Sequence, residues 1–224
     1  TFSKQVTGIE PPLEIRSSFR FNPESESKFF MVPGVVVTLL TMISMMLTAM
    51  AIVREREMGT LEQVLVTPMR PIVLLMGKVT AFAILSVVEF GIALAIGMLW
   101  FGVPFVGSPI LLFALAGLYL LTTLGLGMFV STVTSTQQQA MFMVWFFSIF
   151  TMLTSGFFTP ISNMPIWLQQ VTIVNPMKYF LNIVRGIIMK GSTLDDLLPN
   201  VIALVIFGVT LVAFSILRFH KRAA

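Results

Sequence analysis

Few residues in this chain could do chemistry. Glu89 is the acid set deepest within a long apolar stretch. An intramembrane carboxylate is costly and faces a protein interior or a water-filled cavity. Glu89 could therefore touch a substrate, carry a proton, or bond a hydroxyl on a neighbouring helix. Lys78 lies on nearly the same helical face, but about 16 Å of helix rise separates the two and excludes a direct pair. Gly77-Lys78-Val79-Thr80 lacks the upstream glycine and the adjacent hydroxyl of a phosphate-cradling loop, so this chain is not expected to hydrolyse ATP. It carries no nucleophile elbow, no His-Glu-x-x-His and no calcium loop. Cysteine is absent, which removes disulfides, thiol nucleophiles and thiolate metal sites together. The single histidine, His220, sits in a basic tail suited to solvent or lipid headgroups. The expectation is no catalytic residue, no metal site and no cofactor bound by this chain.

Two segments carry more pattern. The first runs from Arg54 to Arg70 and is charge-dense: Arg54, Glu55, Arg56 and Glu57 precede Gly59, Thr60, Leu61, Glu62, Gln63, Val64, Leu65 and Pro68. Thr60 and Gln63 have capping-box spacing, in which each side chain satisfies the other residue's backbone N–H. Gly59 breaks the preceding helix and Pro68 stops the new one. The pattern predicts a helix of roughly two turns over 60–66, with Leu61, Val64 and Leu65 on one face. So short a helix is marginal alone in water, so its apolar face needs a groove on the same protein or on a partner. The second segment holds Phe157, Phe158, Pro160, Asn163, Pro165, Trp167, Asn175, Pro176 and Tyr179. Asn163 could cap a helix beginning near Pro165, while Asn175-Pro176 ends it and opens another. This reads as a pair of short helices dipping into the outer leaflet, with Trp167 and Tyr179 at the interface. An ordinary extracellular hairpin is the alternative.

The elements that hold these residues follow from composition. The chain is 56% hydrophobic and 11% charged, against ~45–50% and ~25% in soluble domains. Membrane is the natural solvent. The net charge of +4 makes no continuous basic stripe, so nucleic acid is not an expected partner. Apolar stretches near the ~20 residues a span requires lie at 31–53, 72–101, 109–133, 138–158 and 197–218. Backbone groups in lipid must be satisfied within their own segment, which makes these helices. The fold class is an all-α membrane protein with about five transmembrane helices. Small residues pattern the spans: Gly91 with Ala95, Ala93 with Gly97, and Gly117, Gly125 and Gly127, in positions that allow close helix approach.

Orientation follows from Lys and Arg near span ends. Arg54, Arg56, Arg70 and Lys78 mark one side, joined by Arg218, Lys221 and Arg222 after the last span. The loop 54–71 and the tail 219–224 are therefore read as cytoplasmic, and 159–196 as an extracytoplasmic re-entrant hairpin. Lys178, Arg185 and Lys190 weaken the bias, but their segment is long and also carries acids. Residues 1–30 are then outside. Leu13, Ile15, Phe19 and Phe21 alternate there with Glu14, Arg16, Ser18 and Arg20, the pattern of a half-buried strand with no sheet to complete. This segment is expected to be the remnant of an extracytoplasmic domain, with one further span upstream and six in the intact subunit.

Phe21-Asn22-Pro23 leading to Phe30-Met31-Val32-Pro33-Gly34, the run Arg54-Glu55-Arg56-Glu57-x-Gly59-Thr60-x-Glu62 through Thr67-Pro68, and Met164-Pro165 followed by Asn175-Pro176-x-x-Tyr179 together resemble the ABC-2-type transport permeases. The resemblance is strongest to the bacterial multidrug-exporter-like subgroup. It implies a half-transporter in the bacterial inner membrane, with a second permease subunit and cytoplasmic ABC ATPase subunits that hold ATP and Mg. It makes Thr60 to Val66 a coupling helix flanked by Glu55 and Glu57, and 158–191 the re-entrant helices. Glu89, Phe157, Phe158, Pro160, Pro165, Trp167, Asn175, Pro176 and Tyr179 are carried forward as candidates for the pathway and its outer gate. Two other classes stay open: an ATP-independent secondary transporter or channel that uses Glu89, and a membrane scaffold that transports nothing.

Overall fold

The computed structural model describes residues 27–59 and 71–223, with side chains over 29–59 and 77–215. Among the described residues all regular structure is helical: α1 (Ser27–Glu57), α2 (Pro71–Leu99), α3 (Pro109–Val133), α4 (Gln137–Thr154), α5 (Ile166–Ile173), α6 (Pro176–Arg185) and α7 (Leu194–Ala223). A 3-10 turn over Ile161–Asn163 precedes α5, and a π turn over Gly186–Lys190 follows α6. Among the described residues, four stretches are long and apolar enough to cross a membrane: Phe29–Glu57, Gly77–Leu99, Pro109–Val133 and Leu194–Ser215. The chain is an all-α membrane protein. The expected fourth span is α4, 18 residues long and opening on three glutamines. It stops at Thr154 rather than 158 because Gly156 turns the chain at φ +83.

Two other boundaries differ from the sequence reading. α1 starts at Ser27, so Pro33 is interior to the helix rather than in its first turn, where it supplies no backbone N–H to the helical ladder. α7 starts at Leu194 and runs through the basic residues 218–222 to Ala223, with Asp195 and Asp196 in its first turn. Acids there suit the positive end of the helix dipole. Thr193 donates from both its N–H and its hydroxyl to Asp196 Oδ2, at 3.0 Å each.

α3 is the hub, packing most extensively on α7 and α1 and also touching α2, α4 and α6. Its residues Leu112, Ala116, Tyr119, Leu120 and Leu124 are buried with Leu40 of α1, Phe90 of α2, Phe180 and Leu181 of α6 and Leu204 of α7. Tyr119 stacks on Phe180 with centroids 4.3 Å apart. Lipid offers no hydrophobic drive for helices to associate, so close packing and interhelical hydrogen bonds must hold them. Both occur on the α1–α3 seam. Thr41 and Tyr119 share a hydrogen bond of 2.7 Å, and Ser44 donates to the Thr123 hydroxyl at 2.8 Å. One turn further on, Gly127 lets the backbones approach: a Cβ there would sit 2.7 Å from the Met45 carbonyl oxygen and 2.8 Å from Thr48 Cβ. On the opposite flank of α3, Ser215 of α7 donates to the Gly125 carbonyl at 2.9 Å.

Candidate functional site

The residues that sequence marks as functional fall into three places. The first is the charged end of α1. Gly59 takes a left-handed φ of +69 and ends the helix, with Gly59 N–H donating to the Arg56 carbonyl at 3.1 Å. Thr60, Leu61, Glu62, Gln63, Val64, Leu65 and Pro68, which form the expected coupling helix and its stop, lie outside the described residues. Immediately before them, Glu55 pairs with Lys78 of α2, so the lysine that cannot reach Glu89 is engaged by a different acid.

The neighbouring pair holds the α3–α4 turn. Arg56 Nη1 donates to the carbonyls of Ser131 and Thr134 at 2.8 and 3.1 Å. These lie at the C-terminal end of α3, where carbonyls lack helical partners and the dipole favours a cation. Glu57 Oε2 accepts from Gln137 Nε2 at 2.7 Å and from the Gln137 N–H at 3.4 Å, at the N-terminus of α4, where the dipole favours an anion. Thr136 caps α4 by accepting from the Gln139 N–H at 3.2 Å, while the Gln139 side chain accepts from the Ser135 N–H at 3.0 Å. Consecutive residues of α1 thus grip opposite ends of two helices, and Glu55 reaches a third. From sequence, Arg56 is a topological charge and part of a family-like run, with no partner indicated, and Gln137 carries no signal. The alternation of sign in Arg54-Glu55-Arg56-Glu57 was the visible signal, but its partners lie some eighty residues away.

The second place is the expected outer gate. Asn175 caps α6, its Oδ1 accepting from the Met177 N–H at 2.9 Å, with Pro176 at the first helical position. Its amide also donates to the Thr151 carbonyl at 2.6 Å and to the Thr154 hydroxyl at 2.9 Å, fastening the α5–α6 pair to the end of α4. Tyr179 donates from its hydroxyl to the Ile173 carbonyl at 2.9 Å. Asn163 does not cap α5. It lies in the 3-10 turn, and α5 begins after Pro165 with no side-chain cap. The two adjacent phenylalanines differ: Phe157 is 4% exposed and Phe158 52%. The Phe157 ring lies on Gly34, where a Cβ would overlap it. Pro160, Pro165 and Trp167 are exposed.

Arg185, which sequence reading weighed only as an orientation charge, joins these parts. Its guanidinium stacks over the Phe30 ring at 3.7 Å. It donates to the Phe30 carbonyl at 3.1 Å, to Gly156 at 3.2 Å and to Phe157 at 3.4 Å. Burial pushes its pKa down to about 10, so it stays protonated at neutral pH. One cation thus ties the start of α1, close to Pro33, to the Gly156-Phe157 turn and to α6. Sequence offered little signal for it, since α6 also carries Lys178 and Asn182.

The third place is Glu89, at the wall of an apolar groove between α1 and α2. Its Oε2 is buried with no hydrogen-bond partner. The hydroxyl bond that sequence reading allowed is not made by this oxygen. The hydroxyls of α1 are turned elsewhere: Thr38 bonds the Gly34 carbonyl of its own helix, Thr41 the Tyr119 hydroxyl and Ser44 that of Thr123. What α1 presents to the groove is Val32, Val35, Val36 and Leu39.

The chain is similar in sequence to known proteins. The chain is 34% identical over 202 residues to the probable multidrug ABC transporter permease YbhR of Escherichia coli, covering 90% of this chain and 55% of that protein. It is 31% identical over 218 residues to the probable multidrug ABC transporter permease YbhS of the same organism, covering 96% and 57%. It is 28% identical over 160 residues to the linearmycin resistance permease protein LnrN of Bacillus subtilis, covering 71% and 41%. The chain therefore spans about half the length of the relatives it matches. Residues 3–217 match the family described as ABC-2 family transporter protein, a stretch that takes in the gripping end of α1, the Glu89 groove and the α5–α6 hairpin, and the chain belongs to that family.

Proposed function

We propose that this chain is the membrane-spanning permease part of an ATP-binding-cassette exporter. It moves amphiphilic or drug-like molecules outward across the bacterial inner membrane, using ATP and Mg held on separate cytoplasmic ATPase subunits. Family membership carries this reading. The names of its relatives, probable multidrug permeases and a linearmycin resistance permease, support the substrate class. A second permease subunit completes the pathway, and the C-terminus is cytoplasmic.

The contacts at the end of α1 support the following mechanism as part of this proposal. ATP-driven closure of the ATPase pair pushes on Leu61, Val64 and Leu65. The push reaches α1 across Gly59. From there Arg56 carries it to the end of α3, Glu57 to the start of α4, and Glu55 to α2 through Lys78. Helices gripped at one end move as levers, and the far end holds the Arg185 and Asn175 ties that would have to be remade when the outer side opens. Only a partner that contacts the two states differently can shift their balance.

The test is purification of the whole complex from native membranes. We expect an ATPase to co-elute and its ATP turnover to rise with amphiphilic drugs. Transport driven by a proton gradient without nucleotide would instead favour a secondary transporter built on Glu89. An isolated permease with no transport at all would favour a scaffold.

A further inference from the structure

The groove between α1 and α2 has a volume of about 790 Å³ and lies along the halves of the two helices remote from Arg54–Gly59. Pockets of ~300–1,000 Å³ hold drug-sized ligands. Val35, Leu39, Val88 and Ile92 make apolar walls that are half exposed. Into this hydrocarbon α2 sets Glu89; Ser86, one turn before it, is fully buried and does not line the groove. Glu89 Oε2 and Ser86 Oγ are both buried without a hydrogen-bond partner. Lys78 of the same helix is engaged with Glu55 at the opposite end.

We propose that the groove binds lipophilic cations, with the Glu89 carboxylate holding the charge and the walls taking the hydrocarbon. Charge complementarity selects the occupant. A carboxylate in low dielectric without a partner is costly, and an arriving cation removes that cost. A delocalised or alkylated cation is weakly hydrated and gives up little on entering. An anion of the same shape gains the same apolar contact but meets like charge. The proposal deepens the permease reading by naming the class of molecule first held, and rests on it for the meaning of that binding.

The experiment is equilibrium binding of tetraphenylphosphonium and of tetraphenylborate, size-matched and opposite in charge, to the full-length permease in neutral-lipid nanodiscs without nucleotide. Wild-type protein should prefer the cation. Glu89→Gln should weaken tetraphenylphosphonium binding by about tenfold or more, a factor of ten being ~1.4 kcal/mol, and leave tetraphenylborate binding intact or tighter. The retained anion binding reports a folded protein. Ile92→Trp, which fills the groove, should weaken both. Equal cation affinity in wild type and Glu89→Gln overturns the proposal. So does a photoreactive residue at position 92 that captures another helix of this chain or of a second copy and is not displaced by the cation. ATP-driven export is scored separately: if binding follows Glu89 but export never needs nucleotide, the permease reading fails and the site stands.

Discussion

Thr41 and Tyr119 meet through one hydrogen bond of 2.7 Å on the buried α1–α3 seam. Tyr119→Phe keeps the stack on Phe180 and removes the oxygen. It should cost about 1 kcal/mol, the scale of interhelical bonds in lipid, as measured by unfolding in micelles. Thr41→Val leaves the fully buried tyrosine hydroxyl unpartnered and should cost more, about 1–3 kcal/mol. A smaller loss for Thr41→Val than for Tyr119→Phe would contradict the assignment. This seam was hidden in the sequence because a hydroxyl in a span says nothing about which neighbour it meets. The same holds for Arg185 and Arg56, whose roles depend on carbonyls from distant segments. Asn175 was legible because a cap is local: the Asn-Pro pair and its target N–H lie within three residues.

At the scale of elements, the apolar stretches marked the long helices, since length and hydropathy are properties of continuous sequence. Their ends were less legible. α1 and α7 begin upstream of where their apolar runs do, and α4 ends early at the Gly156 turn. The two glycines Gly117 and Gly127 look alike in sequence but have different surroundings. Gly127→Val should force α1 and α3 apart and lower the unfolding temperature markedly, whereas Gly117→Ala, with nothing within 4 Å of the added carbon, should change stability by no more than about 0.5 kcal/mol. Equal effects would contradict the close approach. Gly34→Ala should likewise destabilise, and Phe157→Leu in the same chain should restore part of the loss, because the clash is with the Phe157 ring. At the other end, Arg56→Gln gives up the charge at the α3 C-terminus and should cost about 1–2 kcal/mol. Hydrogen exchange of the 131–139 turn should rise with it.

For the whole molecule, the proposed coupling segment is a pattern within the sequence, whereas the contacts that would give it leverage are not. Thr60 to Val66 with Pro68 reads as a capped apolar helix from its residues alone. Only the fold reveals that the three residues before Met58, Glu55, Arg56 and Glu57, engage α2, α3 and α4. Under the proposed mechanism, a push delivered at this one place would be distributed across the bundle, which is what coupling to a separate ATPase requires. The decisive measurement is ATP-driven export of an amphiphilic dye into vesicles holding the full permease and its ATPase, with Leu61 and Leu65 both replaced by Asp. The account predicts that the variant inserts and folds, loses its association with the ATPase, and exports nothing when ATP is added. Retained association with nucleotide-coupled export at the wild-type rate would contradict it.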